Sequence, residues 1–204
     1  MLEPLTVPAN PPTLMGDRVV LRVRTDRDID DRLRYPIDPD EEDGYGGGWR
    51  RTWDGRRFHN REHLVRLRSP GTPGDLEWSV EHAGECIGSA RLRVDAGNHR
   101  ASFSLGIFVP HRRGIGLGRE ITRLVVQWGF LDLGLHRVEL EVLATNERAI
   151  RCYRACGFVH EGTRRQAELY PDGWHDFLIM GLLREDLTRG PTDLGAPNGL
   201  PAPG

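Results

Sequence analysis

A mixed α/β fold, one central twisted sheet of about seven strands with helices on both faces, is what this chain predicts, and three observations predict it. Strand-like and helical periodicities alternate along the chain. Two extended segments follow each other around a tight turn in its middle. A strand-like segment then runs through three alternating glycines into an amphipathic helix. That helix lies between two extended segments, a connection that makes them a parallel pair by a right-handed crossover.

The elements follow in order. Residues 19–24 alternate as a strand and 26–35 have helical spacing. Residues 38–57 read as a long loop, with an acidic run of Asp38, Asp40, Glu41, Glu42 and Asp43, then Gly44, Gly46, Gly47 and Gly48, with Trp49 and Trp53. Residues 60–68 are helical and 76–82 strand-like. Segments 86–94 and 101–109 form a meander around Ala96, Gly97 and Asn98. Leu117, Ile121, Leu124, Val125 and Trp128 recur at helical spacing, with Gly134 as a stop. Residues 137–143 alternate again as the fifth strand, Asn146 caps the next helix, and Gly157 ends it. The run 158–169 is extended, and Tyr170, Pro171, Asp172 and Gly173 make a turn into a last strand, 174–183.

The proline-crowded residues 1–13 and the Gly/Pro-rich residues 188–204 are expected as flexible tails around one domain, 14–187. A chain of 204 residues with 38% hydrophobic content can bury one substantial core. A net charge of −2 without a long basic run argues against nucleic acid as a partner. No window approaches the roughly 18 apolar residues of a membrane span, and the N-terminus lacks the basic and apolar regions of a signal peptide, so no membrane partner and a cytoplasmic location are expected. Three cysteines, an odd number, argue against a disulfide framework. Cys152 and Cys156 lie one helical turn apart without further ligands for a metal, and none is expected.

The functional signal is Val109, Pro110, His111, Arg112, Arg113, Gly114, Ile115, Gly116, Leu117, Gly118 and Arg119. Glycines let backbone N–H groups approach an anion without Cβ interference, and the following helix adds the positive end of its dipole. A Walker A loop would need Gly-Lys-Ser/Thr, and this segment has no lysine. The third glycine of a dinucleotide fingerprint would fall on Arg119. What remains is Arg-x-x-Gly-x-Gly, from Arg113 to Gly118.

That pattern resembles the coenzyme A pyrophosphate loop of the GCN5-related N-acetyltransferase (GNAT) superfamily, and further family elements stand in the expected order. They are Glu139-Leu140-Glu141-Val142, Asn146-Glu147-Arg148-Ala149-Ile150 and Tyr153-Arg154-Ala155-Cys156-Gly157-Phe158. Upstream Val19-Val20-Leu21-Arg22 and the late Trp174-His175-Asp176 look most like the branch of ribosomal-protein N-terminal acetyltransferases. The resemblance covers residues 14–187.

The resemblance implies that the fourth and fifth strands splay apart and that the acyl-carrying arm of acetyl-coenzyme A lies between them. Backbone groups of Ile107, Phe108 and Val109 would pair with that arm, and one of their amides would polarise the thioester carbonyl. Arg112 through Arg119 would hold the pyrophosphate. Asn146 would lie beside the arm, as well as capping its helix, and Tyr153 would face the sulfur as general acid. Glu141 is the first choice of general base, a carboxylate beside a covered strand being a stronger base than one in water; an ion pair with an arginine is its structural alternative. Glu77, His111 and His175 are runners-up. The implied activity is metal-free transfer of acetyl to a primary amine, of a small molecule or a protein N-terminus, by direct attack in a ternary complex. Succinyl-coenzyme A or another acyl donor, and a non-catalytic coenzyme A sensor or scaffold, stand as alternatives. The acceptor stays unassigned, with the acidic loop, Trp49, Trp53, Glu168, Tyr170 and Trp174 as hints, and a homodimer is one option for assembly.

Overall fold

Residues 14–22 double back at Gly16, so that β1 (Leu14–Met15) pairs antiparallel with β2 (Val19–Arg22), Leu14 opposite Leu21. The computed structural model describes residues 3–35, 74–170 and 172–187. After β2, Thr25 opens helix α1 (Asp26–Leu33) with a capping box, its amide donating to Asp28 Oδ2 at 2.7 Å. Asp28 also takes both terminal nitrogens of Arg22 at 2.8 Å. Burial alone would raise the Asp28 carboxyl, but these bonds outweigh it and hold it below the usual range.

Strand β3 (Asp75–His82), β4 (Glu85–Asp95) and β5 (Arg100–Ile107) form the expected meander. Asp95 caps its tight turn, accepting from the Asn98 amide, and His99 adopts a left-handed conformation. Helix α2 (Leu117–Leu131) leads to β6 (Arg137–Leu143), and α3 (Glu147–Arg154) leads to the hairpin of β7 (Val159–Tyr170) and β8 (Gly173–Leu183). Gly157 ends α3 in the left-handed region, with the Phe158 amide on the Tyr153 carbonyl and the Gly157 amide on that of Arg154.

One sheet in the order β1-β2-β3-β4-β5-β6-β8-β7 results, with β5 and β6 its parallel pair and every other pairing antiparallel. Among the described residues it has eight strands rather than about seven. The extra one is β1, two residues long and too short to show an alternation. Helix α2 covers one face with Leu117, Ile121, Val125, Val126 and Phe130 buried, each worth about 1.5–3 kcal/mol of burial. Trp78 of β3 packs edge-on against Trp128 of α2 at 5.6 Å. Helix α1 lies on the opposite face, where Arg22 meets Asp28.

The N-terminal segment departs from the tail expected of it. Leu5 and Val7 pack against the core, the Leu5 amide donates to the Ala96 carbonyl at 3.1 Å, and the wholly buried Trp78 sends its indole N–H to the Pro12 carbonyl at 2.7 Å. A buried indole donor needs an acceptor, and a proline carbonyl is as good a one as any other, so proline content did not preclude docking. The acidic loop, Trp49, Trp53, the helix expected over 60–68 and residues 188–204 lie outside the described residues. Among the described residues no helix is long and apolar enough to cross a membrane.

Candidate active site

The parallel strands part company early. Strands β5 and β6 pair only at Arg100 with Arg137, Ala101 with Val138 and Ser102 with Glu139. From Phe103 onward β5 keeps its register with β4 but has no partner in β6, which stays paired to β8 along its whole length. One glycine of β4 accounts for the direction of the lean. A Cβ built on Gly88 of β4 would fall on the Gly106 carbonyl oxygen of β5, so the missing side chain lets the end of β5 settle onto β4 and away from β6.

The phase of the ladder tells which backbone groups face the opening. The Phe108 amide donates to the Ile87 carbonyl at 2.9 Å. Ladder bonds in an antiparallel pair fall on every second residue, so the N–H and C=O of Leu105 and Ile107 point away from β4 and into the gap. Phe108 therefore corrects the expectation that its backbone serves an arm in the gap, because its amide is committed to β4. The Ile107 carbonyl accepts from Arg113 Nε at 2.7 Å and the Val109 carbonyl from the Arg112 amide at 3.0 Å. What β5 presents to the gap is the Ile107 amide with both backbone groups of Leu105, the edge an extended chain would pair with.

At the open end of the gap the chain turns through Pro110–Arg112, a single 3-10 turn, and enters α2. Gly114 and Gly116 have φ of +76° and +91°, a region that an L side chain rarely adopts. The amides of Leu117, Gly118 and Arg119, in the first turn of α2, have no intrahelical acceptor and carry the positive end of the helix dipole. Arg112 Nε, on the segment that leads into this loop, is buried without a hydrogen-bond partner among the described residues. These groups fit an anion such as a pyrophosphate.

Sequence reasoning missed the clamp that holds this loop. Arg18, in the turn before β2, donates from Nη1 to the Ile115 carbonyl at 2.9 Å and from Nε to Glu120 Oε2 at 2.9 Å. Glu120 Oε1 accepts the Arg18 and Val19 amides at 2.7 and 3.3 Å. Burial would raise the Glu120 carboxyl; the bonds from Arg18 and Val19 outweigh it and lower it. Partners 102 residues apart leave no local trace in a sequence.

Tyr153 of α3 is 7% exposed and stands edge-on to Phe103 of β5 at 6.3 Å between ring centroids, with Phe158 at 5.9 Å. Its ring thus packs on the helix side of β5 at Phe103, the first residue beyond the last rung to β6. Asn146 caps α3, its Oδ1 accepting the Ala149 amide at 3.1 Å. Glu141 alternates with the buried Leu140 and Val142 and so lies on the other face of β6 from the core. Its side chain is 46% exposed and takes Arg164 Nη1 on both oxygens, at 2.9 and 2.7 Å. The covered setting expected for Glu141 is not what surrounds it, because among the described residues β6 is covered on one face only there; the ion pair is.

The runners-up are engaged elsewhere. Glu77 is held between Arg24 and Arg91, the latter at 2.8 Å. His111 is exposed beside Tyr35, and His175 Nε2 meets Asp172 Oδ1 at 2.8 Å with its ring 4.6 Å from that of Tyr170. Tyr170 is buried, Glu168 faces His175 across the hairpin, and Trp174 is exposed. Among the described residues no group of three or more His, Cys, Asp or Glu could hold a metal ion.

Comparison with known proteins gives this geometry its relatives. Residues 18–159 match the family model described as the Acetyltransferase (GNAT) domain. A spermidine N(1)-acetyltransferase of Escherichia coli strain K12 is 36% identical over 106 residues, 52% of this chain and 52% of that protein. The chain spans about half the length of the curated relatives it matches, or less. Among solved structures, Mycobacterium smegmatis RimJ in complex with CoA-disulfide aligns with a TM-score of 0.75 at 20% identity, covering 87% of this chain and 90% of that one. Vibrio cholerae spermidine N-acetyltransferase in complex with CoA and spermine aligns with a TM-score of 0.70 at 21% identity, covering 85% and 99%. At such identities the likeness is one of fold.

Proposed function

The chain belongs to the GCN5-related N-acetyltransferase (GNAT) family, and from that premise we propose that it is an acetyl-coenzyme A dependent N-acetyltransferase acting on a primary amine by direct attack in a ternary complex. The observation that carries this reading is the coincidence of two features. A parallel pair opens after three rungs, and a loop built to hold an anion stands at the mouth of the opening. A donor with a diphosphate at one end and an amide-bearing arm leading to a thioester matches both in one molecule.

The thioester supplies an activated carbonyl carbon. The amine nitrogen bonds to it, the carbon–sulfur bond breaks, one proton leaves the nitrogen, and one reaches the departing thiolate. In this reading the first-turn amides of α2 and Arg112 hold the diphosphate, and the Leu105 and Ile107 backbone groups align the arm. A β5 amide in the gap also polarises the carbonyl. Tyr153 protonates the thiolate from the helix side, and Asn146 steadies the arm beside it. Glu141 takes the amine's proton from the other face, with Arg164 orienting its carboxylate.

Relatives named for spermidine make an aliphatic polyamine the first acceptor to test. The resemblance to ribosomal-protein acetyltransferases adds N-terminal peptides. Titration calorimetry with acetyl-coenzyme A should give binding heat, and thiol release should follow with at least one amine of a panel holding both classes. Absence of heat from a folded protein would overturn the donor site. Heat without release across the panel would overturn catalysis and leave a binding protein. Release with a succinyl but not an acetyl donor would overturn the choice of acyl group.

A further inference from the structure

Two thiols that the reaction above does not use face the first turn of α2. Cys152 of α3 and Cys156, one turn later, stand on the same side of the helix end. Cys156 Sγ also lies 3.7 Å from the Arg119 carbonyl, as a donor to it. Cys152 rests against Gly118, where an added Cβ would stand 3.3 Å from its sulfur, and Thr122 holds the Gly118 carbonyl at 2.7 Å. Both sulfurs therefore pack on two of the residues whose amides line the loop. Neither is deeply buried, whereas Cys86 on β4 is.

The surroundings suit thiol chemistry. The neighbouring Cys156 sulfur, with the Thr122 hydroxyl and the charges of Arg119 and Arg123, holds Cys152 below its ordinary value against the pull of burial. Beside that thiol and partly buried, Cys156 is pushed up. Burial pushes Cys86 up to about 11. Residues four apart on a helix have Cα atoms about 6 Å apart, inside the roughly 4.4–6.8 Å that disulfides span, but Cβ atoms about 5–6 Å apart, beyond the roughly 3.5–4.5 Å a disulfide needs, so the bond requires the helix end to shift. The regular part of α3 ends at Arg154. The Cys156 amide turns back to the Tyr153 carbonyl at 2.9 Å, and Gly157 follows at φ +96°, so only a terminal turn has to move to join the sulfurs.

We propose that Cys152 and Cys156 are a redox-active dithiol which a peroxide converts to a disulfide, and that closing it draws the sulfurs off Gly118 and Arg119 and weakens the loop's grip on its ligand. The second half rests on the reading of that loop as the coenzyme A site. The Cys152 thiolate attacks one peroxide oxygen, giving a sulfenic acid and, with a proton, one water. The Cys156 thiol then attacks the sulfenic sulfur, forming the S–S bond and releasing a second water. The two thiols lose two electrons and the peroxide gains them, and a small dithiol reverses the change.

The test treats the reduced full-length chain with hydrogen peroxide, removes the oxidant, and divides the sample. Trypsin without reductant cuts after Arg151, Arg154 and Arg164, so a Cys152–Cys156 disulfide joins fragments 152–154 and 155–164 in one species lighter by two hydrogens. Calorimetry with acetyl-coenzyme A, which carries no free thiol, should show affinity about fivefold or more weaker, the weight of one hydrogen bond, and restored by dithiothreitol. Cys152→Ser and Cys156→Ser should each abolish the joined species and the peroxide effect. Cys156→Ser should also leave a sulfenic acid on Cys152 that dimedone captures. Separate fragments, oxidation of Cys86 ahead of the pair, or a joined species with unchanged affinity would overturn the proposal. A reduced protein that binds no acetyl-coenzyme A would instead overturn the donor site and the proposed weakening with it, while the joined fragments still report the dithiol.

Discussion

Tyr153 and Glu141 bracket β6 from opposite faces, and their surroundings separate what each substitution should do. Tyr153 is packed between Phe103 and Phe158, so Tyr153→Phe keeps the rings and removes only the hydroxyl. Acetyl-coenzyme A should bind as before while kcat falls by roughly 10²-fold, the usual worth of a positioned acid; unchanged turnover in a thiol-release assay would take Tyr153 out of the chemistry. Glu141 is half exposed and paired with Arg164, and an exposed ion pair contributes at most about 1 kcal/mol to stability. Glu141→Gln should therefore leave the thermal midpoint nearly unchanged. As the base, it should nonetheless cost at least tenfold in kcat at neutral pH, and kcat equal to the parent's would show that Glu141 serves only the ion pair.

The strands and the loop do at their own scale what no single side chain does. The Gly88–Gly106 contact lets β5 lean away from β6, and a methyl at Gly88 must push on backbone, not on a side chain that could swing aside. Gly88→Ala should weaken acetyl-coenzyme A binding in calorimetry more than tenfold or prevent folding, and normal affinity in a folded variant would refute this cause of the splay. Gly116 sits at φ +91° with Arg18 Nη2 only 3.3 Å from where a Cβ would stand. A β-branched residue there strains the backbone by about 1–3 kcal/mol and crowds the clamp, so Gly116→Val should abolish measurable binding heat. Much of this element scale was legible beforehand. The alternations, the Asn98 turn, the glycine loop and the caps at Asn146 and Gly157 are local chemistry, and the fold shows each where it was expected. What escaped depends on distance. β1 is two residues, the docking of Leu5 and Pro12 needs the position of Ala96 and Trp78, and the lean of β5 needs to know that Gly88 faces Gly106. The exposure of Glu141 needs to know which face of β6 is covered.

Across the whole molecule, carboxylates join one element to another, and this makes stability depend on pH in a definite direction. Asp28 ties α1 to Arg22 of β2, Glu120 ties α2 to the turn at Arg18, and Glu161 of β7 accepts from Arg137 of β6 at 2.7 Å. All three carboxyls are lowered, from ordinary values of 3.8 for Asp28 and 4.5 for the two glutamates. A group whose folded value is depressed stabilises the fold fully above its unfolded value and loses that contribution as pH falls through the folded one. Stability should thus be level near neutrality, begin to fall below about pH 4.5 and keep falling past 3.8, as protons break ties that hold β2 to α1, β2 to α2 and β6 to β7. Denaturant midpoints at pH 7, 4 and 3 check this, and Glu120→Gln separates the clamp from the rest. The variant, which cannot accept the same charge-assisted bonds, should start lower at pH 7 and lose less between pH 7 and 3. Because the clamp also fixes Ile115, its acetyl-coenzyme A affinity should already be reduced at pH 7; equal acid losses in parent and variant would mean that Glu120 does not couple the loop to the edge of the sheet.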